Sequence, residues 1–115
     1  MTSHHPDPIP DKDSYPTGQQ LHAIENWDIL EERAEDLLAY IKALWWAPDW
    51  GWRKTKRRLY LSTGGWSGNE ALIRALKRTP LFWDLFWLRG RRGEHHVFKQ
   101  PRAMPRQKMG WWYRP

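Results

Sequence analysis

The sequence has no cysteine, no long apolar run and few acidic residues in its second half. Without cysteine, neither a disulfide framework nor a thiolate metal site is available. The best apolar run, "LFWDLFWL", has eight residues and is interrupted by Asp84, so it is too short to span a membrane. The first twenty residues lack the basic and apolar segments of a secretory signal. We therefore expect a cytoplasmic protein with no membrane partner.

Charge is divided unevenly along the chain. Residues 1–49 carry ten acids against three bases, a balance of −7, and residues 50–115 carry sixteen Lys and Arg against three acids, a balance of +13. Such an asymmetry favours an anionic partner for the second part, and we predict nucleic acid or a nucleotide. An acidic host protein is the alternative partner. The sequence indicates no particular oligomeric state.

The domain organisation follows from length and composition. A chain of 115 residues is expected to form one domain. Residues 1–21 are rich in proline and polar side chains without periodicity, which predicts a disordered arm or one that becomes ordered only on a partner. Residues 22–100 are the predicted globular domain, and residues 101–115 form a basic, Trp-rich tail.

Hydrophobic periodicity predicts the first half of this domain. An apolar stripe at helical spacing predicts a helix over residues 27–45, with Asp28 and Glu31 at capping-box spacing. Alternating residues then predict two strands joined near residues 54–57.

The second half repeats this order. A helix is predicted over residues 68–78, with Ser67 and Glu70 as a capping box. A second hairpin is predicted with strands over residues 82–89 and 94–99, and a helical turn at residues 80–84 is the alternative to the start of its first strand. The fold class is therefore predicted to be α+β: helix, β-hairpin, helix, β-hairpin, with a four-stranded, mostly antiparallel sheet and the helices on one face.

A glycine-rich segment, "STGGWSGNE", joins a predicted strand to a predicted helix. Free backbone N–H groups and the positive end of a helix dipole meet at such a junction, which favours phosphate or carboxylate binding. The segment lacks the lysine of a P-loop and does not fit the dinucleotide fingerprint. A structural turn, with Trp66 in the core and Ser67 as a cap, is the alternative. The predicted anion-binding residues are Gly64, Gly65, Trp66, Ser67, Gly68 and Asn69.

Two basic hairpin tips form the second candidate site. Their side chains are expected to pair with phosphates, while Trp52 and Tyr60 stack on bases. The alternative is a pair of solvated turns whose charges discourage aggregation at the sheet edges. The predicted basic surface comprises Arg53, Lys54, Lys56, Arg57, Arg58, Arg89, Arg91 and Arg92.

Patterns for catalysis and for metal binding are missing. His95 and His96 are adjacent in a predicted strand, so they should point to opposite faces and not share a metal. Asp84 interrupts a predicted apolar strand and, if buried, should pair with an arginine or cap a turn. We therefore predict no catalytic residues, no metal site, no cofactor and no enzymatic activity.

The run "LSTGGWSGNEALIRAL", followed by "LFWDLFW" and "RRGEHHVF", resembles a group of short proteins encoded by tailed phages and prophages, particularly of actinobacteria. The resemblance covers about residues 27–98, and members of that group have a more hydrophobic residue or glycine where Glu94 and His95 stand here. No activity is established for the group. The resemblance implies a small phage accessory protein acting in the host cytoplasm, and it implies no catalytic residues.

The leading hypothesis is a non-enzymatic phage-type accessory protein that binds a phosphate-bearing partner through its basic surface and glycine-rich loop. The alternative is a protein-interaction module that inhibits a host or defence factor. The surplus of aromatic residues, the acidic first helix and the two tails favour this alternative. A minor virion component is a third hypothesis.

Overall fold

A computed structural model describes residues 5–91 and 94–101 of the chain. The fold within these residues is α+β, as predicted, with four short strands in one antiparallel sheet. None of the described helices combines the length and apolar character needed to cross a membrane. In chain order the elements are α1 (Gly18–Glu25), α2 (Ala34–Leu44), α3 (Pro48–Gly51), β1 (Trp52–Lys54), β2 (Arg58–Ser62), α4 (Ser67–Arg78), α5 (Phe82–Phe86), β3 (Trp87–Arg91) and β4 (His95–Lys99).

Helix α1 begins inside the segment that composition predicts to be a disordered arm. A capping box starts it: Thr17 Oγ1 accepts from the backbone N–H of Gln20 at 3.2 Å, and Gln20 Oε1 accepts from that of Thr17 at 2.8 Å. The amide of Gln20 also donates to the carbonyl oxygens of Asp7 and Ile9. The predicted boundary at residue 21 therefore falls within a helix, and the polar residues before it are bound by hydrogen bonds that composition does not reveal.

Aromatic contacts hold the start of the described chain against α2. The His5 ring stacks on buried Trp27 with centroids 4.0 Å apart, and the Tyr40 hydroxyl donates to the carbonyl of Pro6 at 2.6 Å. Burial, and secondly the negative charge of Asp7, raise the pKa of Tyr40. Residues 1–4 of the predicted arm lie outside the described residues.

Helix α2 starts at Ala34, seven residues later than predicted. Asp28 does bind nearby backbone N–H groups, those of Leu30 and Glu31, but it does so in a turn that precedes the helix. Leu30 belongs to the predicted apolar stripe and is nevertheless 47% exposed. The apolar stripe was thus extended too far towards the N-terminus, because an Asx turn and a capping box share the same residue types.

Strand order in the sheet is β1-β2-β4-β3, with every neighbouring pair antiparallel. Both predicted hairpins are present, and Gln100 closes the first one by donating to the carbonyl oxygens of Thr55 and Arg58. The second hairpin begins later than predicted, since residues 82–86 form α5. Phe82 and Phe86 are fully buried four residues apart, a helical spacing, so the alternative of a helical turn near this position describes the chain better.

Helix α5 also explains the position of Asp84. The residue lies in the first turn of the helix and is exposed, so it requires neither an arginine partner nor a buried cap. The negative charge is favourable there because the N-terminal end of a helix carries a partial positive charge. The prediction that Asp84 interrupts an apolar strand was wrong, because residues 82–86 form a helix.

The hydrophobic core lies between the helices and one face of the sheet. Leu59, Leu61 and Phe98 from the strands pack with buried residues of α2, α4 and α5. Trp27 and Trp45 are buried, whereas Trp87 is 36% exposed. This arrangement leaves the other face of the sheet outside the core.

Candidate functional site

Alternate strand residues point away from the core and form what we call the open face of the sheet. Strand register fixes its members: Tyr60 is paired with Arg53 on one side and with Val97 on the other, and Val97 is paired with Arg89. The open face comprises Arg53, Arg58, Tyr60, Ser62, Arg89, Arg91, His95, Val97 and Lys99.

A hollow of about 360 Å³ lies on the open face, towards the end that carries Ser62, His95 and Arg91. Tyr60, Ser62, His95 and Val97 contribute to its floor, and Trp50 borders it at the end of α3. Its volume is at the lower end of the range found for small-molecule sites. The hollow is therefore large enough for one planar group and open enough for a chain to cross it.

Positive charge on this face is uncompensated. Arg53, Arg89 and Arg91 line the hollow, and none of the described residues that line it is a carboxylate. Within residues 5–91 and 94–101, the ion pairs join His5 to Glu32, Arg33 to Glu35 and Arg78 to Glu25, so none involves an open-face arginine. Arg58 and Lys99 add like charges directly opposite each other on β2 and β4. The arrangement suits an anion that contacts several cations at once.

Arg53 and Tyr60 form a cation–π pair on the open face. The guanidinium carbon of Arg53 lies 4.2 Å from the centre of the Tyr60 ring. The tyrosine ring is thus covered by the arginine, whose planar guanidinium can itself stack or bind phosphate. Tyr60 contributes to the face mainly by positioning this cation.

A serine and a histidine meet on the same face. Ser62 Oγ and His95 Nδ1 are hydrogen-bonded at 2.7 Å across paired positions of β2 and β4. Such a contact provides the nucleophile and the base of a nucleophile–base–carboxylate triad. Among the described residues, no carboxylate is hydrogen-bonded to the His95 ring, so the pair offers a polar contact for a ligand but lacks an orienting acid.

His96 lies on the opposite side of the sheet from His95, as the sequence predicts. It is buried, and its Nδ1 accepts from the Trp87 indole N–H at 3.3 Å. It also borders a second cleft, of about 350 Å³, whose charged side chains are Glu70, Arg74, Lys77 and Glu94. Charges of both signs line this cleft, and no group of metal-ligating residues occurs in the part of the chain that the structure describes.

The glycine-rich loop packs against its own domain. Asn69 is buried: its Oδ1 accepts from the N–H of Trp46 at 2.8 Å, and its Nδ2 donates to the carbonyls of Trp46 and Thr63 at 3.1 and 3.4 Å. The Trp66 ring stacks on that of Trp46 with centroids 5.1 Å apart. Asn69 and Trp66, two of the six predicted anion ligands, thus already have partners within the chain.

The start of α4 differs from the predicted capping box. Trp66 occupies the N-cap position, and Ser67 is exposed and makes no capping hydrogen bond. Gly68 is buried, and a Cβ there would lie 2.8 Å from the Trp66 Nε1 and 3.2 Å from Tyr15 Cδ1. Close packing therefore explains this glycine without a ligand.

Gly64 has a different neighbour. With φ at +64°, it occupies the left-handed region that favours glycine, and a Cβ there would lie 2.9 Å from Trp50 Cζ3. Gly65 also has positive φ, +74°, but a Cβ there would meet nothing within 4 Å. The absence of a side chain at Gly64 thus leaves space for the Trp50 ring.

The two predicted basic tips do not lie together. Because β2 and β4 are antiparallel, with Arg58 opposite Lys99 and Ser62 opposite His95, the two hairpin turns lie at opposite ends of the sheet. Four residue steps of a strand separate these ends by about 14 Å. The structure instead brings together side chains from the strands between them. Arg92 lies outside the described residues.

Lys54 belongs to the basic tip in sequence but not to the open face. It is paired with Leu59 on the helix-facing side of the sheet and borders a groove shared with Glu35 and Lys42. Lys56 and Arg57 lie in the turn itself and are exposed. Arg53 and Lys54 are therefore neighbouring cations on opposite sides of one strand.

Trp50 is the residue that sequence reasoning missed, and Trp52 is the one that it misplaced. Trp52 packs edge-on against Trp45, on the core side, so it is not available to stack a base from the open face. Trp50 is 65% exposed and borders the hollow. In a continuous strand Trp50 and Trp52 would point to the same face, whereas Trp50 belongs to the short helix α3. The proline at position 48, favoured at a helix start, was the available signal.

No family model, curated protein or solved structure matches the chain. The candidate site therefore rests on the geometry of this chain alone. The resemblance to phage and prophage proteins stays a prediction.

Proposed function

We propose that this protein binds nucleic acid across the open face of its sheet, without catalysing a reaction. One observation carries the proposal: five cations, Arg53, Arg58, Arg89, Arg91 and Lys99, share a face, and no described carboxylate lines the hollow in it. Phosphate contacts by Arg and Lys supply most of the sequence-independent affinity for nucleic acids.

The distribution of these cations favours a polymer over a single nucleotide. Arg58 and Lys99 lie at one end of the paired strands, and Arg91 lies beside His95 at the other. At about 3.4 Å per residue, this spread is about 14 Å along the strands. One phosphate group cannot contact both ends, whereas successive phosphates along a strand can.

The glycine-rich loop has a different role from the one expected of an anion site. Asn69 and Trp66 of this loop make contacts within the domain. We therefore propose the open face, and not the loop, as the phosphate-binding surface. A phage accessory role in a host cytoplasm agrees with such a binder, and this setting is proposed from the resemblance alone.

Neighbouring cations on β1 provide a matched test. Arg53→Glu and Lys54→Glu change the net charge equally, but only Arg53 lies on the open face. Binding of a fluorescently labelled 12-nucleotide single strand would be measured by anisotropy from 50 to 300 mM salt. We expect Arg53→Glu to weaken binding more than Lys54→Glu and to reduce the slope of log K against log salt by about 0.7.

A double substitution extends the test to the other side of the hollow. Arg89→Glu/Arg91→Glu should lower the salt slope by about 1.4, since two phosphate contacts are lost. Equal effects of Arg53→Glu and Lys54→Glu would mean that only net charge matters and would refute an open-face site. Absence of oligonucleotide binding at 50 mM salt would refute the proposed function. If a free nucleotide by itself competes with the oligonucleotide, the open face would be a nucleotide site and not a polymer-binding surface.

A protein-interaction module is the second candidate function. Leu81, Trp87 and Leu88 are exposed by 39%, 36% and 40% near the edge strand β3. Leu81 also has a φ of +69°, an uncommon conformation for a bulky residue. Loss of a protein partner after Leu88→Ser, with oligonucleotide affinity unchanged, would favour this function over the first.

A further inference from the structure

We propose that the open face selects single-stranded nucleic acid, because Trp50, seated against Gly64, stacks on an unpaired base at the edge of the hollow. The inference rests on the proposed function and adds the kind of nucleic acid bound. Trp50 is uncharged, so the charge pattern of the sequence does not point to it.

Exposure and position single out Trp50 among the tryptophans that the structure describes. Its side chain is 65% exposed, more than Trp46 at 44% or Trp87 at 36%, and it borders the hollow beside Arg53. Exposing so large an apolar ring is unfavourable unless a partner covers it. The other aromatic residue that lines the hollow, Tyr60, is already covered by Arg53.

Gly64 supplies the seat for this ring. A side chain at Gly64 would lie 2.9 Å from one atom of the six-membered ring and 3.3 Å from the next, closer than atoms normally approach. The ring therefore lies directly beside the backbone of the loop. This contact restricts the ring, so a base stacking on it would cost less ordering entropy than stacking on a free side chain.

The combination of charge and ring identifies the ligand. Aromatic rings beside a cationic groove bind single strands, because every base has a face that can stack and the backbone supplies the phosphates. Bases in a duplex are already stacked on one another, so they do not offer such a face. A single strand can place one base on Trp50 while its phosphates reach Arg53, Arg89 and Arg91.

Two probes separate stacking from charge. A 12-nucleotide oligothymidylate and a 12-unit abasic oligomer carry the same phosphates, but only the first has bases. Trp50→Ala should lower the affinity for oligothymidylate about 5- to 150-fold, the loss expected for one stacked base. Affinity for the abasic oligomer and the salt slope should stay unchanged, and Trp50→Phe should restore most of the loss.

Matched variants test the position of the ring. Trp46→Ala removes a partly exposed tryptophan that does not line the hollow, so it should not change the difference between the two probes. Gly64→Ala should displace Trp50 and reproduce the base-dependent loss. Gly65→Ala introduces similar backbone strain without a contact to the ring and should keep the base-dependent affinity.

The outcomes distinguish this inference from the function on which it rests. If the wild-type protein binds both probes equally and Arg53→Glu weakens both, the face binds phosphates without stacking, and only the present inference fails. Equal losses on both probes after Trp50→Ala, or equal behaviour of Gly64→Ala and Gly65→Ala, would also overturn it. If neither probe binds, both proposals fail.

Discussion

The two faces of the sheet are built from the same strands and have opposite characters. Leu59, Leu61 and Phe98 lie on the helix-facing side and are at most 1% exposed. Their immediate neighbours Arg58, Tyr60 and Lys99 lie on the open face. Alternation of side chains in a strand allows one short segment to stabilise the core and present a charged surface at the same time.

The open face carries an electrostatic cost that the core face does not. Arg58 and Lys99 are directly opposite each other, and like charges at such positions destabilise a sheet. A bound polyanion would relieve this repulsion. The comparison therefore predicts that substitutions on the core face change stability, while substitutions on the open face change binding.

The largest expected effect comes from the core face. Phe98→Ala should lower the free energy of unfolding by about 3–5 kcal/mol, because it removes a fully buried ring that packs against Phe82 and Trp83. Arg89→Ala on the neighbouring strand should change it by less than about 0.5 kcal/mol and yet weaken oligonucleotide binding. Urea denaturation followed by circular dichroism measures both. A comparable loss of stability in Arg89→Ala would remove the distinction between the faces.

An intermediate effect is expected in the glycine-rich loop. Asn69→Ala should destabilise the protein by about 1–3 kcal/mol, since the backbone groups of Trp46 and Thr63 lose their partner. Ser67→Ala should be within about 0.5 kcal/mol of wild type, because Ser67 makes no capping hydrogen bond. If instead Ser67→Ala reduced oligonucleotide affinity while Asn69→Ala left stability unchanged, the loop would be a ligand site and not a structural junction.

The smallest effect has the opposite sign. Lys99→Glu replaces a like-charge pair with an opposite-charge pair across β2 and β4, so the free energy of unfolding should rise by about 0.2–1 kcal/mol. Oligonucleotide affinity should fall in the same variant. Lys54→Glu is the control for stability, because Lys54 lies opposite Leu59 and no such gain is available. Thermal denaturation at low salt would detect the difference, and destabilisation by Lys99→Glu would contradict the proposed repulsion.

Local patterns predicted the elements that depend on neighbouring residues. Helix α4, both hairpins and the opposite orientation of His95 and His96 follow from periodicity in short segments. The failures involved segments in which two local structures use the same residue types. Asp28 forms an Asx turn where a helix cap was predicted, and the Phe82 and Phe86 pair belongs to a helix where a strand was predicted.

The binding role of the basic residues stays a prediction, and the structure adds how these residues are arranged. Arg53, Arg58, Arg89 and Arg91 are exposed, and strand register places them on one face of the sheet as well as near the two hairpin turns. Pro48 could have indicated the short helix that carries Trp50, but the contact of the ring with Gly64, fourteen residues away in the sequence, is set by tertiary structure.

By itself, the sequence determined that the protein has short alternating strands and an amphipathic helix α4, because these patterns depend on residues close together in the chain, and it determined the strongly basic second half through composition. Only the tertiary structure decided which cations share a face, which tryptophan stands beside them, and that Asn69 binds Trp46 twenty-three residues away. Pairing between distant segments is set by the packing of the whole core, and no local pattern records it.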